Sequence, residues 1–117
     1  MYQVKADEFL VDVFYNLLHN SVRLDHSDAV RIEIHLEKEN EGFLIFRIKD
    51  CGPGIEDSKK ELLLSTGGDR SKRVRGIGLT LVKRIIDRYG GYIWVEDSVK
   101  GDHTKGVCFA FSLPLAE

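Results

Sequence analysis

Apolar positions recur along this chain with two different periods, and each change of period marks the end of an element. Leu10, Val13, Phe14, Leu17 and Leu24 fall at helical spacing and predict one amphipathic helix. Asp7 precedes them as an N-cap, because its carboxylate can accept from the unpaired amides of a first helical turn. Asp12, Asn16, Asn20 and Arg23 follow one another at intervals of four, four and three, which draws a polar line beside the apolar stripe. Asparagine is a poor interior helix former, so two of them at i and i+4 need a reason. Val30, Ile32, Ile34 and Leu36 then alternate with Arg31, Glu33, His35 and Glu37, a period of two that predicts a strand with one buried face. The polar run that ends at Gly42 reads as a hairpin connection. Phe43 to Lys49 return as a more hydrophobic strand that ends at Asp50, and the short β-prone stretch Tyr2 to Ala6 suggests an edge strand.

Residues Glu56 to Arg75 show weak periodicity, with a short helix expected over Ser58 to Leu64. Glycine, hydroxyl and basic side chains fill Ser65 to Arg73, a composition expected of a mobile loop. A second helix follows, with Leu81, Val82, Ile85, Ile86 and Tyr89 expected to face inward and Lys83, Arg84, Asp87 and Arg88 outward. Gly90 and Gly91 supply its stop, since glycine tolerates the left-handed conformation a helix end often needs. Tyr92 to Glu96 and Val107 to Leu113 read as two strands, and Pro114 ends the second. The expected fold is α+β: a two-layer sandwich with two or three helices on one face of a mixed, mainly antiparallel sheet.

The 117 residues suffice for a single domain. A net charge of -2 argues against a general nucleic-acid binder, which would be basic. No apolar run approaches the ~20 residues that span a bilayer, and no signal-peptide pattern opens the chain. A cytoplasmic location without membrane contact is therefore expected of this part. Cys51 and Cys108 have no metal-type spacing and read as small reduced side chains.

Three segments carry chemistry. In Asn16-Leu-Leu-His-Asn20, the amide oxygen of Asn20 suits Mg²⁺, which prefers oxygen ligands and needs few from the protein once a triphosphate supplies others. Asn16, one turn earlier, is placed to hold a phosphate or a water, and the Arg23 guanidinium, one turn later, suits phosphate. In Asp50-Cys-Gly-Pro-Gly54, the glycines let the backbone turn sharply and approach a flat ligand. A partly buried carboxylate there can accept from the exocyclic amine of adenine, although a tight turn with an Asx-type bond would look the same. Gly76-Ile-Gly78 directly precedes the second helix, where unpaired amides and the positive dipole end favour phosphate. It is neither a Rossmann fingerprint nor a P-loop. Arg70, Lys72, Arg73 and Arg75 just upstream read equally well as phosphate clamps or as solvated charges.

Together these residues resemble the ATP-binding catalytic domain of sensor histidine kinases, in the superfamily that includes DNA gyrase, the heat-shock ATPase chaperone and mismatch-repair ATPases. The resemblance runs from about Val4 to Pro114 and takes in Val13 to Ser21 and the ending Gly106-Val-Cys-Phe-Ala-Phe-Ser-Leu-Pro114. It implies a Bergerat fold with ATP and Mg²⁺ as ligands. By resemblance Asn20 binds Mg²⁺, Asn16 supports the phosphates and Arg23 contacts them. Asp50 binds the adenine amine, and Gly52, Gly54 and Ile55 form the adenine wall. Gly76 and Gly78, with the amides of Leu79 and Thr80, hold the phosphates, and residues 56–75 form a lid.

In the hydrolytic members of that superfamily, and in relatives that phosphorylate serine, a glutamate general base usually lies four residues before the metal-binding asparagine. Here that residue is Asn16, which cannot take a proton. A histidine acceptor tolerates this, because neutral imidazole is already a nucleophile near pH 7. The resemblance thus implies a protein-histidine kinase of a two-component system, acting on a histidine in a separate dimerisation domain of the same kinase, with a response regulator downstream. Nothing in the chain resembles that helical domain, so it reads as one catalytic domain, residues 1–117, of a longer kinase that binds ATP but hardly turns it over alone. Three features depart from the family pattern. Glu61-Leu-Leu-Leu-Ser65 lacks the usual lid phenylalanine, Thr80 replaces a glycine, and Val107 stands in place of a threonine near adenine. The altered lid and Thr80 support an alternative, a non-catalytic nucleotide-binding regulatory module; a gyrase-like ATPase is disfavoured by Asn16.

Overall fold

The structure, a computed structural model, describes residues 3, 4, 6–24, 29–39, 41–56 and 79–116, the side chains of Arg23 and Leu24 excepted. The elements run α1 (Leu10–Leu24), β1 (Ile32–Lys38), β2 (Phe43–Asp50), α2 (Leu79–Arg88), β3 (Tyr92–Val99) and β4 (Asp102–Pro114). The sheet order is β1-β2-β4-β3, and every pairing among these strands is antiparallel. The α+β expectation holds, with the described strands wholly at its antiparallel end. The short helix expected over Ser58 to Leu64 and the glycine-rich loop after it lie outside the described residues.

Local chemistry sets the boundaries. The Phe9 amide donates to the Asp7 carboxylate at 3.0 Å and the Leu10 amide to the Asp7 carbonyl at 3.1 Å, so Asp7 caps α1 as expected. At the other end of the fold, Gly90 takes φ of +82° and the Gly91 amide donates back to the Ile86 carbonyl at 3.0 Å, which closes α2. The β1–β2 hairpin turns at Gly42 with φ of +87°. Of the edge strand expected over Tyr2 to Ala6, the described residues show an antiparallel bridge between Val4 and Leu115.

Both helices pack on one face of the sheet. Val13 and Leu17 of α1, Val82 and Ile86 of α2, and Ile48, Phe109, Phe111 and Leu113 of the central strands form one buried cluster. Phe14 meets Phe46 and Phe111 edge-on at 5.7 and 5.6 Å, while Phe46 and Phe111 stack at 4.8 Å. Two apolar expectations fail. Ile34 and Leu36 share the helix-side face with Phe46 and Ile48 yet stay 52% and 56% exposed, because neither α1 nor α2 packs over the β1 strand. Leu81 is 54% exposed, and Leu79 takes the inward place in its stead, completing a stripe with Val82, Ile85 and Ile86.

The other face of the sheet is held by charge. Arg47 donates to Glu37 at 2.6 Å and to Glu96 at 3.3 Å, and the Trp94 indole donates to Glu96 at 2.7 Å. The small Ala110 lies between Arg47 and Trp94 in the register, so the guanidinium reaches across β4 unobstructed. Beneath these groups Cys108 is a buried free thiol, its pKa pushed up to about 11 mainly by burial.

Candidate functional site

Polar side chains seldom lie fully buried without a task. Among the described residues the buried ones are Asn20, Ser21, Asp50 and Ser112. Ser112 lies on β4, and its hydroxyl accepts from the Tyr92 amide at 3.2 Å. Asn20 and Asp50, 3% and 2% exposed, are two of the residues singled out from the sequence.

Asp50 ends β2, and strand alternation places it on the helix side with Phe46 and Ile48. Its Oδ1 accepts from two backbone amides, Gly52 at 3.1 Å and Val107 at 3.0 Å. The first is the Asx-type bond that a tight turn would form alone. The second comes from β4, so the carboxylate is locked to the sheet and not merely to its own turn. A buried carboxylate held this way presents a fixed acceptor direction.

Backbone packing completes the turn. Gly54 has φ of +74°, and a Cβ there would lie 1.5 Å from the His103 carbonyl oxygen. A Cβ on Gly106, at φ of +115°, would lie 2.1 Å from the Asp50 carbonyl oxygen and 3.1 Å from its carboxylate. Glycine is required at both positions, since the backbones of the turn and of β4 touch where side chains would start. Ile55 follows and is buried in the same apolar cluster as Ile48, Val107 and Leu79. Gly52 is half-buried and Cys51 exposed.

On α1, Asn16 and Asn20 share one flank, a turn apart. The Asn16 amide nitrogen donates to the Asp12 carbonyl at 2.7 Å, so the side chain lies back along the helix. Arg23 belongs to the last turn of α1, and its side chain lies outside the described residues. Leu79 opens α2 fully buried and Thr80 follows half-buried. Gly76, Gly78 and residues 57–75 of the expected lid lie outside the described residues. The fold therefore brings Asn20, Asp50, Ile55 and Leu79 into the buried layer between helices and sheet, with Asn16 and Thr80 at its margin.

Sequence reading placed Val107 near adenine by resemblance but missed its amide's bond to Asp50, the close approach at Gly106, and Ser98, whose hydroxyl donates to the Asp50 carbonyl at 2.7 Å. Gly106 had a signal, because an isolated glycine opening a strand pattern marks a bulge or a close backbone approach. The Val107 amide and Ser98 had none.

The sequence signature of the histidine kinase-, DNA gyrase B-, and HSP90-like ATPases matches residues 6–117. The chain belongs to that family. This ATPase-family domain is 34% identical over 117 aligned residues to the adaptive-response sensory kinase SasA of Crocosphaera subtropica, an alignment that covers 96% of the chain and 29% of that protein. Among solved structures it resembles the mycobacterial sensor histidine kinase MprB, with a TM-score of 0.79 and 25% identity over 97% of this chain and 78% of that one. It also resembles the catalytic domain of histidine kinase ThkA, with a TM-score of 0.73 and 28% identity over 95% and 69%. The chain thus spans less than a third of the SasA relative and has the fold of histidine kinase catalytic domains.

Proposed function

We propose that this chain is the ATP-binding catalytic domain of a sensor histidine kinase, residues 1–117 forming a single domain. It would donate the γ-phosphoryl group of ATP to a histidine on a separate dimerisation domain of the same protein, from which a response regulator is served in turn. The observation that carries the reading is Asp50: a buried carboxylate fixed at Oδ1 by two amides, under a turn that approaches β4 with no side chain between. Its Oδ2 is then the acceptor for the 6-amino group of adenine, which guanine lacks at that position. Gly52, Gly54 and Ile55 line the base. Gly76, Gly78 and the amides of Leu79 and Thr80 receive the phosphates at the α2 N-terminus, with Arg23 beside them and residues 56–75 as the lid.

Mg²⁺ fits this donor set in one way only. Among the described residues no three His, Cys, Asp or Glu side chains gather to make a metal cage. The Asn20 amide is one hard oxygen donor, which suits an ion carried in by the nucleotide and already half-ligated by phosphates. When bound, Mg²⁺ supplies charge neutralisation on the triphosphate. The protein's own part is positioning.

Asn16 chooses among the reactions. An amide cannot remove a proton, so water and serine hydroxyls stay poor nucleophiles at this site. A neutral imidazole nitrogen attacks phosphorus without that help; the bond from phosphorus to the bridging oxygen breaks, and ADP leaves with the electron pair. The test supplies the dimerisation domain of the full-length protein in trans with γ-labelled ATP. An acid-labile, base-stable label on that domain is expected, and Asn20→Ala should remove it. ATP binding without transfer would convert the reading to a regulatory nucleotide sensor, and steady hydrolysis by the isolated chain would convert it to an ATPase.

A further inference from the structure

The register between β3 and β4 breaks beside the Asp50 turn. Asp97 pairs with Val107, but Val99 pairs with Asp102. Ser98 alone crosses the break on β3, while His103 to Gly106 cross it on β4 as a bulge. A bulge bends its strand and re-aims a side chain. Both effects are visible. The β4 bulge puts the His103 carbonyl against Gly54 and the Gly106 backbone against Asp50. On β3, the half-buried Ser98 hydroxyl reaches past β4 to the end of β2, a strand that is not its neighbour, and donates to the Asp50 carbonyl oxygen at 2.7 Å. That reach needs Gly106, since any Cβ there would lie 2.1 Å from the same oxygen.

We infer that Ser98 is a positioning residue for adenine recognition, acting through the main chain of Asp50. The inference rests on the reading of Asp50 as the adenine acceptor. Asp50 is then held at two places: its carboxylate by the Gly52 and Val107 amides, and its carbonyl by Ser98. The two amides fix Oδ1 but leave the carboxylate a hinge about that oxygen. Ser98 fixes the peptide plane between Asp50 and Cys51, hence the backbone from which the carboxylate projects. A recognition group works when its supporting shell holds it to within a fraction of an ångström. Removing the hydroxyl takes the partner from a carbonyl at the strand end and frees that plane. The effect should fall on the one interaction that depends on the direction of Oδ2, the bond to the 6-amino group, and not on phosphate binding.

The test measures Mg²⁺-dependent affinity by calorimetry for ATP and for purine riboside triphosphate, which lacks the 6-amino group, on the full chain. Wild type should prefer ATP by tenfold or more. Ser98→Ala should weaken ATP about five- to tenfold, a loss of one hydrogen bond's scale. It should change the affinity for purine riboside triphosphate less than twofold, so the preference collapses. Ser98→Thr, which keeps the hydroxyl and suits a strand, should restore it. Equal loss for both nucleotides, or an unchanged preference in Ser98→Ala, would overturn the positioning role while leaving Asp50 as the acceptor. A wild type with no preference for ATP would overturn the reading of Asp50 itself and the role of Ser98 with it.

Discussion

Asp50 and Asn20 are both buried polar side chains, yet the fold holds them by different means. Asp50 stands at a strand end where the chain meets two other strands, through backbone contacts at Gly54 and Gly106, the Val107 amide on its carboxylate and the Ser98 hydroxyl on its carbonyl. Asn20 projects from a continuous helix, seven residues after Val13 and three after Leu17, and so from the same face by which these two pack on the sheet. The first end of the site is built by contacts between strands distant in sequence, whereas the second rides on the buried face of a single helix. Substitutions at the two ends should therefore separate stability from ligand chemistry in opposite proportions.

The largest effect is expected from Gly54→Ala. The new methyl would meet the His103 carbonyl at a distance no packing allows, in a conformation that disfavours any side chain. We expect a loss of about 3 kcal/mol or more, read as a fall in Tm of roughly 10 °C or more together with lost nucleotide binding. If Gly54→Ala kept wild-type Tm, the backbone contact would not be part of the fold. Asp50→Asn should do the reverse. Its amide oxygen can still accept from Gly52 and Val107, but the –NH₂ turned toward adenine opposes another donor. ATP affinity should fall roughly 10- to 100-fold, the scale of a hydrogen bond to a charged group, with Tm within a few degrees of wild type. Calorimetry and a thermal melt on the same sample decide it.

At the helix end, Asn16→Ala should raise or preserve stability. Alanine is better than asparagine inside a helix by about 0.5 kcal/mol, against the loss of one exposed bond to the Asp12 carbonyl. Phosphotransfer to the supplied dimerisation domain should nevertheless fall, and an Asn16→Ala chain with full transfer would remove that side chain from the site. The smallest effect concerns neither end. Tyr89 donates to the Asp7 carboxylate, and Arg88 lies over the Phe9 ring at 5.9 Å, which ties the start of α1 to the end of α2. The Tyr89 bond holds Asp7 below its ordinary value near 3.8. A depressed carboxylate stabilises the fold above that value and stops doing so as pH falls through the lowered one. Tyr89→Phe should then cost about a degree of Tm near neutrality, as exposed pairs do, and progressively less as pH falls below the ordinary carboxylate range. A difference independent of pH would mean that the hydroxyl acts otherwise.

The helix flank was far more legible in the sequence than the strand end. Asn16 and Asn20 announce themselves by spacing, because a helix makes neighbours of residues three and four apart. The Asp50 motif announces a turn but not its partners: Val107 is 57 residues away and Ser98 is 48. Nothing local encodes a contact between backbones, so the need for glycine at 54 and 106 becomes intelligible only once the strands are paired. The misjudged apolar positions have the same origin. Alternation correctly put Ile34 and Leu36 on the helix side of the sheet, but whether a helix lies above them depends on where α1 and α2 settle.

The sequence separation of the bonds that fix Asp50 also sets a clock. A ribosome that has just made Asp50 to Gly54 has finished the motif, but the Val107 amide that locks its carboxylate is 57 residues behind. At synthesis rates of roughly 5–20 residues per second, that interval is about 3–11 s. In the proposed reading the chain carries, for those seconds, an adenine motif whose carboxylate is not yet locked. ATP binding would then report that the last strand is in place.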